Sequence, residues 1–193
     1  MASRVIEAEY KARLTDPDSV RAKLAGLAAA EVVTYHDAYF DDGARSLHAG
    51  DRELRLRTVR GSGSVRHLLT FKEAAVDLET GSKPEYETDI GGREVLEQIL
   101  YRLGYRPSIS FTKECENYRF MTNGRNVLAT VVTVPEIDGT FLELETLVDA
   151  DEDLDSALSD LRKSLSALGV SDDHLTTELY TDAVAESRGG EGH

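Results

Sequence analysis

Acidic and basic residues recur at two-residue spacing in several short segments of this chain. Carboxylates are the oxygen ligands that Mg²⁺ and Mn²⁺ prefer, whereas Arg and Lys side chains bind phosphate oxygens. The acidic pairs are Glu7/Glu9, Glu85/Glu87 and Glu143/Glu145. The basic residues are Lys11, Arg55, Arg57, Lys72, Lys83 and Lys113. Together the two sets would bind a metal–polyphosphate complex, which points to phosphoryl or nucleotidyl transfer, where positioning and charge neutralisation do most of the catalysis.

The same spacing also has a simpler interpretation. Side chains alternate across a β-strand, so each segment has one charged and one apolar face. A polar face in water is usual for an antiparallel sheet, and it is the more frequent explanation of any single pair. Two features favour a site: three amphipathic helices need an apolar surface to cover, and the charges are segregated by strand. A sheet closed on itself, with its helices outside, would turn the charged faces inward and line a tunnel.

Eight strands and three helices are predicted around these segments. The strands cover approximately residues 5–14, 32–41, 53–60, 65–73, 83–90, 108–120, 127–134 and 140–148. The helices begin at Asp16-Pro17, at about residue 93 and at about residue 152. We predict an α+β fold: an eight-stranded antiparallel closed β-tunnel (barrel) with outer helices. A single domain would span residues 1–184, followed by a disordered tail at 185–193.

The net charge of the chain disfavours two classes of binding partner. The net charge of −14, from 36 acids against 22 bases, disfavours binding to nucleic acid and to anionic membranes. Any anionic ligand must then be held by a local basic cluster or through bound cations. The single cysteine, Cys115, excludes an internal disulfide and fits a reducing compartment, so a cytoplasmic location is predicted.

Six motifs, in this order along the chain, resemble the CYTH superfamily of triphosphate tunnel metalloenzymes, which includes class IV adenylate cyclases and thiamine triphosphatases. They are Glu7-x-Glu9-x-Lys11, Asp37-x-Tyr39-Phe40-Asp41, Leu54-Arg55-x-Arg57, Lys72, Lys83-x-Glu85-x-Glu87 and Gly139-x-Phe141-x-Glu143-x-Glu145. Tyr180 lies where a near-terminal tyrosine is usual. The resemblance covers about residues 5–183, and its specificity lies in the ordered set, because each motif alone is weak.

The resemblance implies a role for each matched residue. The metal ligands, for Mg²⁺ or Mn²⁺, would be Glu7, Glu9, Glu143 and Glu145. The phosphate-binding residues would be Lys11, Arg55, Arg57, Lys72, Lys83 and Lys113. The catalytic residues would be Lys11, Glu85 and Glu87. In the family's cyclases the ribose 3′-hydroxyl attacks the α-phosphate and releases pyrophosphate, and in its triphosphatases water attacks the terminal phosphate.

Two positions depart from the family pattern. Cys115 follows Lys113 where the family has Lys-x-Arg, and a thiol cannot replace a bidentate guanidinium. Thr133 lies at about the position of an aspartate, and it offers no charge to a metal or a water molecule. We hypothesise that Arg119, six residues beyond Lys113 on the same strand face, substitutes in part as a phosphate-binding residue. A bulge between Lys113 and Arg119 would refute this.

Three functions therefore remain open from the sequence. The first is a metal-dependent enzyme acting on the phosphoanhydride of an organic polyphosphate such as ATP or thiamine triphosphate, by cyclisation or by hydrolysis. The second is a divergent member that acts on another organic diphosphate or binds a nucleotide or polyphosphate without catalysis. The third is an open sheet with a merely solvated charged face. The oligomeric state is also left open, with a homodimer as one alternative.

Overall fold

Eight antiparallel strands form one closed barrel in the computed structural model, which describes residues 5–149 and 154–190. The strands are β1 Val5–Leu14, β2 Glu31–Asp41, β3 Glu53–Gly61, β4 Ser64–Lys72, β5 Lys83–Asp89, β6 Arg106–Thr122, β7 Arg125–Thr133 and β8 Thr140–Asp149. Around the barrel they follow the order β1-β5-β4-β3-β2-β6-β7-β8. The predicted closed α+β barrel is confirmed. Because the sheet has no free edge, the open-sheet alternative is wrong.

Within the described residues five α-helices accompany the barrel, two more than the sequence predicted. They are α1 Pro17–Ala25, α2 Ser46–Ala49, α3 Arg93–Arg102, α4 Leu154–Leu168 and α5 Tyr180–Gly190. The start of α1 follows the predicted capping, since the Asp16 side chain accepts a hydrogen bond from the Ser19 amide at 3.1 Å and Pro17 is the first helical residue. None of the helices in the described ranges is long and apolar enough to cross a membrane.

The disordered tail predicted from residue 185 is wrong in part, because α5 continues to Gly190. Its sequence, with low apolar content and two consecutive glycines, gives little sign of a helix, and tertiary contacts supply the stability instead. Residues 152 and 153, predicted to begin the third helix, lie outside the described residues, as do residues 191–193. The single-domain assignment stays a prediction.

The apolar outer faces of the strands form the principal core. Residues such as Ala8, Ala12, Leu142 and Leu144 pack beneath α1 and α4, whose Leu24, Leu161 and Leu165 are buried. A second cluster lies under α3, where Leu56 and Phe40 of the sheet contact Leu100. These apolar faces are buried under the helices, on the outside of the barrel. The alternate, charged positions of each strand therefore lie inside the barrel.

One end of the barrel interior is covered by α5. Val184 and Tyr180 of α5 are buried against Phe111, Val132 and Phe141. At the opposite end, inward positions of the strands reach the surface: Leu147 of β8 is 62% exposed and Arg119 of β6 is exposed. The tunnel is therefore asymmetric, with an apolar end under α5 and a solvent-accessible mouth.

Candidate active site

Every predicted site residue lines one cavity inside the barrel, of about 300 Å³. These residues are Glu7, Glu9, Lys11, Arg55, Arg57, Lys72, Lys83, Glu85, Glu87, Lys113, Arg119, Glu143 and Glu145. The strand registers explain the convergence, because each of these residues occupies an inward position of its strand, with neighbours such as Glu9↔Glu145 and Arg55↔Thr70 directly paired. The sheet thus brings together residues up to 138 positions apart in sequence, from Glu7 to Glu145.

The two arginines of β3 form the cationic wall. Arg57 donates two hydrogen bonds to the carboxylate of Asp37 on β2, at 2.6 and 2.7 Å, and its guanidinium lies 4.2 Å from the Tyr35 ring centroid. Arg55 donates to Thr70 Oγ at 3.2 Å and lies 3.6 Å from Glu87. Burial opposes ionisation of Asp37, but the charge and hydrogen bonds of Arg57 outweigh it and lower the pKa of this carboxyl. The pair is therefore ionised and rigidly oriented.

Lys72 of β4 lies between the arginines of β3 and the carboxylates of β5 and β1. Its ammonium forms ion pairs with Glu7 and, at 3.2 Å, with Glu85. Burial raises the pKa of Glu7, but Lys72 and Arg55 overcome that effect and lower it below the ordinary value. For Glu85 the balance is reversed, since burial and the nearby Glu7 charge raise its pKa despite Lys72.

An excess of negative charge remains where β1 meets β8. Glu9 and Glu145 are directly opposed in the register, two positions away from the pair of Lys11 and Glu143 on the same face. Burial and the charge of Glu7 raise the pKa of Glu9 to about 7, and burial with Glu7 and Glu9 raises the pKa of Glu145 well above its usual range. Carboxylates this close to one another need either protons or a cation.

The donor set here fits a divalent cation by its chemistry. Hard oxygen ligands and surplus negative charge are what Mg²⁺ and Mn²⁺ require, and Glu9 and Glu145 supply both. Within residues 5–149 and 154–190, however, no three His, Cys, Asp or Glu side chains already converge in the geometry of a metal centre. The side chains would therefore have to rotate toward the ion on binding.

Two buried polar atoms of the described residues, Arg55 Nε and the Tyr180 hydroxyl, complete no hydrogen bond of normal geometry, and a third, Glu85 Oε2, meets only the Lys72 ammonium at 3.2 Å. All three belong to residues that line the tunnel cavity. An unsatisfied buried polar atom is costly, and native proteins keep few of them. Their concentration in one cavity indicates that the cavity is built to receive polar ligand atoms.

Comparison with known proteins agrees with this architecture. The CYTH domain matches residues 5–180 of the sequence. The chain belongs to the CYTH domain family. A relative from Methanocaldococcus jannaschii, provisionally named an adenylate cyclase, is 27% identical over 180 residues, which are 92% of this chain and 98% of the relative.

Solved structures of other proteins share the fold of this CYTH chain. The PH1819 protein of Pyrococcus horikoshii superposes with a TM-score of 0.80 at 24% identity, covering 94% of this chain and 99% of its own. A Hippeastrum protein, provisionally named an adenylyl cyclase and described as having a dominant triphosphatase activity, superposes with a TM-score of 0.68 at 16% identity, covering 94% and 95%. The family is divalent-metal dependent.

The departures from the family pattern can now be placed in this CYTH tunnel. Cys115 faces inward beside Val33 and Val132 and is 2% exposed, so an apolar patch occupies the next inward position after Lys113. Thr133 pairs with Glu114, whereas its neighbour Val132 pairs with the inward-facing Cys115. Thr133 therefore lies on the outer face. The inward residue at this level of β7 is Val132, so neither position places a charge inside the barrel.

Arg119 lies on the same face as Lys113, as hypothesised. The pairing of β6 with β7 runs without a register shift from Glu114 to Thr122, and that of β6 with β2 is continuous through Lys113 and Cys115. Arg119 is exposed at the mouth, however, whereas Lys113 is buried. The two are six residues apart, about 20 Å along an extended strand. A phosphate contact of Arg119 stays a prediction.

Lys83 differs from the other predicted phosphate-binding residues because acidic side chains surround its ammonium. It forms ion pairs with Asp51 at 2.7 Å and with Glu53 at 2.9 Å. Burial lowers its pKa, but these carboxylates raise it above the ordinary value. The charge of Lys83 is thus neutralised by protein carboxylates. Its phosphate contact also stays a prediction.

Sequence reasoning missed three contributors to the site. Asp37 and Tyr39 were recognised as a motif without a role, yet Asp37 orients Arg57 and Tyr39 lines the cavity. Thr70 links Arg55 to Glu87, to which it donates a hydrogen bond at 2.8 Å. The two-residue spacing of Thr70 from Lys72 placed it on the inward face, but an uncharged side chain gave no signal of its own.

Proposed function

We propose that this CYTH protein is a divalent-metal-dependent enzyme that acts on the phosphoanhydride of an organic polyphosphate within the tunnel. The observation that carries the proposal is that one cavity contains both buried cations and carboxylates with raised pKa values. Buried cations with an unsatisfied Arg55 Nε face carboxylates with raised pKa values, at Glu9 and Glu145. A polyphosphate supplies the anions that the first set needs, and its metal ion supplies the charge that the second set needs.

The proposed roles follow from position. Arg55, Arg57, Lys72 and Lys113 bind phosphate oxygens, and Lys11 joins them from β1. Glu7, Glu9, Glu143 and Glu145 hold Mg²⁺ or Mn²⁺, which when bound would polarise the phosphoryl oxygens and neutralise developing charge. Glu85, whose pKa is raised by burial and by Glu7, is the proposed proton acceptor. Glu87 keeps Arg55 in place through Thr70.

Two reactions fit this arrangement, cyclisation and hydrolysis. The name of the Methanocaldococcus jannaschii relative supports a cyclase, and the description of the Hippeastrum protein supports a triphosphatase. Both reactions use the same bound phosphates and differ in the nucleophile, which is the ribose hydroxyl in one and water in the other. ATP and thiamine triphosphate are the proposed substrates to compare.

Incubating the purified chain with ATP, thiamine triphosphate and tripolyphosphate, each with Mg²⁺ or Mn²⁺, tests the proposal. We expect product with at least one substrate, and we expect it to be lost in Glu7→Ala and Glu143→Ala. Glu114→Ala serves as the matched control, because Glu114 is an exposed carboxylate on the outer face of the same barrel. Turnover that survives both tunnel substitutions would overturn the assignment.

A second candidate is a domain that binds a polyphosphate or nucleotide without catalysis. The inward positions of Cys115 and Val132 favour it, since these two side chains offer no charge to a ligand while Arg55 and Arg57 still line the cavity. Titration calorimetry separates the candidates: tight metal-dependent binding without product across the three phosphates would identify a binding domain. The cytoplasmic location and the homodimer stay predictions.

A further inference from the structure

The first residue of α5, Tyr180, enters the tunnel cavity from outside the barrel. Tyr180 is 7% exposed, and two of the proposed phosphate-binding lysines place their ammonium groups over its ring. The Lys11 ammonium is 4.6 Å from the ring centroid and the Lys113 ammonium is 4.2 Å from it. Both distances are within the range of an attractive cation–π contact.

The position of the ring is fixed by neighbours on several sides. Phe141 packs edge-on against it, with centroids 5.3 Å apart and an interplanar angle of 85°. Farther along α5, Val184 is fully buried in the same cluster. Arg188 then fastens the helix by hydrogen bonds to Glu136 at 2.7 and 3.0 Å and to the Ser110 carbonyl at 2.7 Å. The helix is thus held at both ends, with the ring directed into the cavity.

The segment before α5 also contacts Lys11. Lys11 donates a hydrogen bond to the backbone carbonyl of Glu178, two residues before Tyr180. Lys113 meets Glu143 at 3.6 Å on its other side. The Tyr180 hydroxyl lies toward Glu143 but completes no hydrogen bond of normal geometry among the described residues. The ring, and not the hydroxyl, therefore makes the well-defined contacts.

Two ammonium groups that must both face one polyanion repel each other when it is absent. The negative face of an aromatic ring reduces that repulsion without neutralising either charge, in contrast to a carboxylate, which would compete with the phosphate. Lys113 has one carboxylate, Glu143, at 3.6 Å, whereas Lys83 is more fully neutralised, because Asp51 and Glu53 lie at 2.7 and 2.9 Å from its ammonium. A lysine held on a ring remains available to an incoming anion and loses less freedom when it binds.

We propose that Tyr180 is a positioning residue for polyphosphate binding, whose ring holds Lys11 and Lys113 at a preformed spacing and so makes α5 part of the binding site. This inference rests on the proposed function, because it assumes that the tunnel binds a polyphosphate. It extends the site beyond the barrel to α5, whose described side chains in the cavity, Tyr180 and Thr181, are uncharged.

The test compares three variants of the full chain. Tyr180→Phe keeps the ring, Tyr180→Leu removes it, and Val184→Ala loosens the same helix without touching either lysine. Tripolyphosphate binding with Mg²⁺ is measured by calorimetry. We expect Tyr180→Phe to bind within about twofold of the parent and Tyr180→Leu to bind about tenfold more weakly, as the loss of two partly desolvated cation–π contacts implies. Val184→Ala should retain most of the affinity.

A spectroscopic signature accompanies the binding measurement. Ring currents should shift the side-chain methylene protons of Lys11 and Lys113 upfield in the parent and in Tyr180→Phe, and this shift should vanish in Tyr180→Leu. Unchanged affinity in Tyr180→Leu, or equal weakening in Val184→Ala, would overturn the positioning role while leaving the proposed function intact. Equal weakening in Tyr180→Phe would also overturn it. If the parent binds no polyphosphate, the proposed function fails and this inference fails with it.

Discussion

Arg57 and Asp37 form a bidentate ion pair inside the tunnel, with donor–acceptor distances of 2.6 and 2.7 Å. Asp37 is fully buried and Arg57 retains 12% side-chain exposure toward the cavity. Two parallel hydrogen bonds fix the plane of the guanidinium as well as its position. The pair therefore presents a preoriented cation on the wall opposite the carboxylates, and its loss should affect both folding and ligand binding.

Replacing Asp37 with Asn should destabilise the protein by about 3 kcal/mol, because it leaves the Arg57 charge in the barrel without its partner. The pH dependence has a definite sign. The pKa of Asp37 is lowered in the folded protein, so its contribution is present above the ordinary carboxyl value of 3.8 and is lost as pH falls below it. Urea unfolding at pH 7 and at pH 3 measures both effects. A variant as stable as the parent at pH 7 would contradict the prediction.

Without divalent metal, stability should fall as pH rises from about 4.5 to about 7. The pKa of Glu9 is raised from 4.5 to about 7, so the folded state binds more protons than the unfolded state in this window. Adding Mg²⁺ or Mn²⁺ should restore stability at pH 7, because the ion replaces the proton and binds only the folded chain. Thermal melts with metal and with chelator test this, and Glu9→Gln should flatten the pH slope. A slope that Glu9→Gln leaves unchanged would show that other groups cause it.

Arg55 and Arg119 should differ in their effect on phosphate binding. Arg55 is buried with an unpaired Nε, whereas Arg119 is exposed at the mouth. Arg55→Ala should weaken tripolyphosphate binding at least about tenfold, and Arg119→Ala less than about threefold, because solvent screens an exposed charge. Calorimetry at low and at high salt makes the comparison. Equal losses would support the hypothesis that Arg119 replaces the missing guanidinium at Cys115.

Cys115 should be inert toward thiol reagents in the folded protein. Burial raises the pKa of its thiol to about 12, and the side chain is 2% exposed beside Val33 and Val132. Alkylation by iodoacetamide at pH 8, followed by mass spectrometry, should proceed in urea and be negligible in buffer. Rapid modification of the native protein would instead show that Cys115 is an accessible thiol and contradict the prediction.

Much of the architecture was predictable because strands impose a period of two. The two residues of each charged pair lie on the same strand face, and the position between them is apolar. The pairs are Glu7/Glu9, Arg55/Arg57 and Glu143/Glu145. The ordered motifs then identified the family, which matches residues 5–180. The helix α5 was not predictable in this way, since its residues after Tyr180 carry little apolar periodicity and owe their order to contacts with Phe141 and Val132.

The sequence by itself determined the types of charge, the face of each strand on which they lie, and so the existence of a charged interior. Only the tertiary structure decided which charges are available to a ligand. Lys83 is neutralised by Asp51 and Glu53, Thr133 lies outside the barrel, and Tyr180 is brought 4.2 Å from Lys113, which lies 67 positions earlier in the chain. The physical reason is that strand period is local, whereas ion pairing, burial and register across the closed barrel depend on residues far apart in sequence.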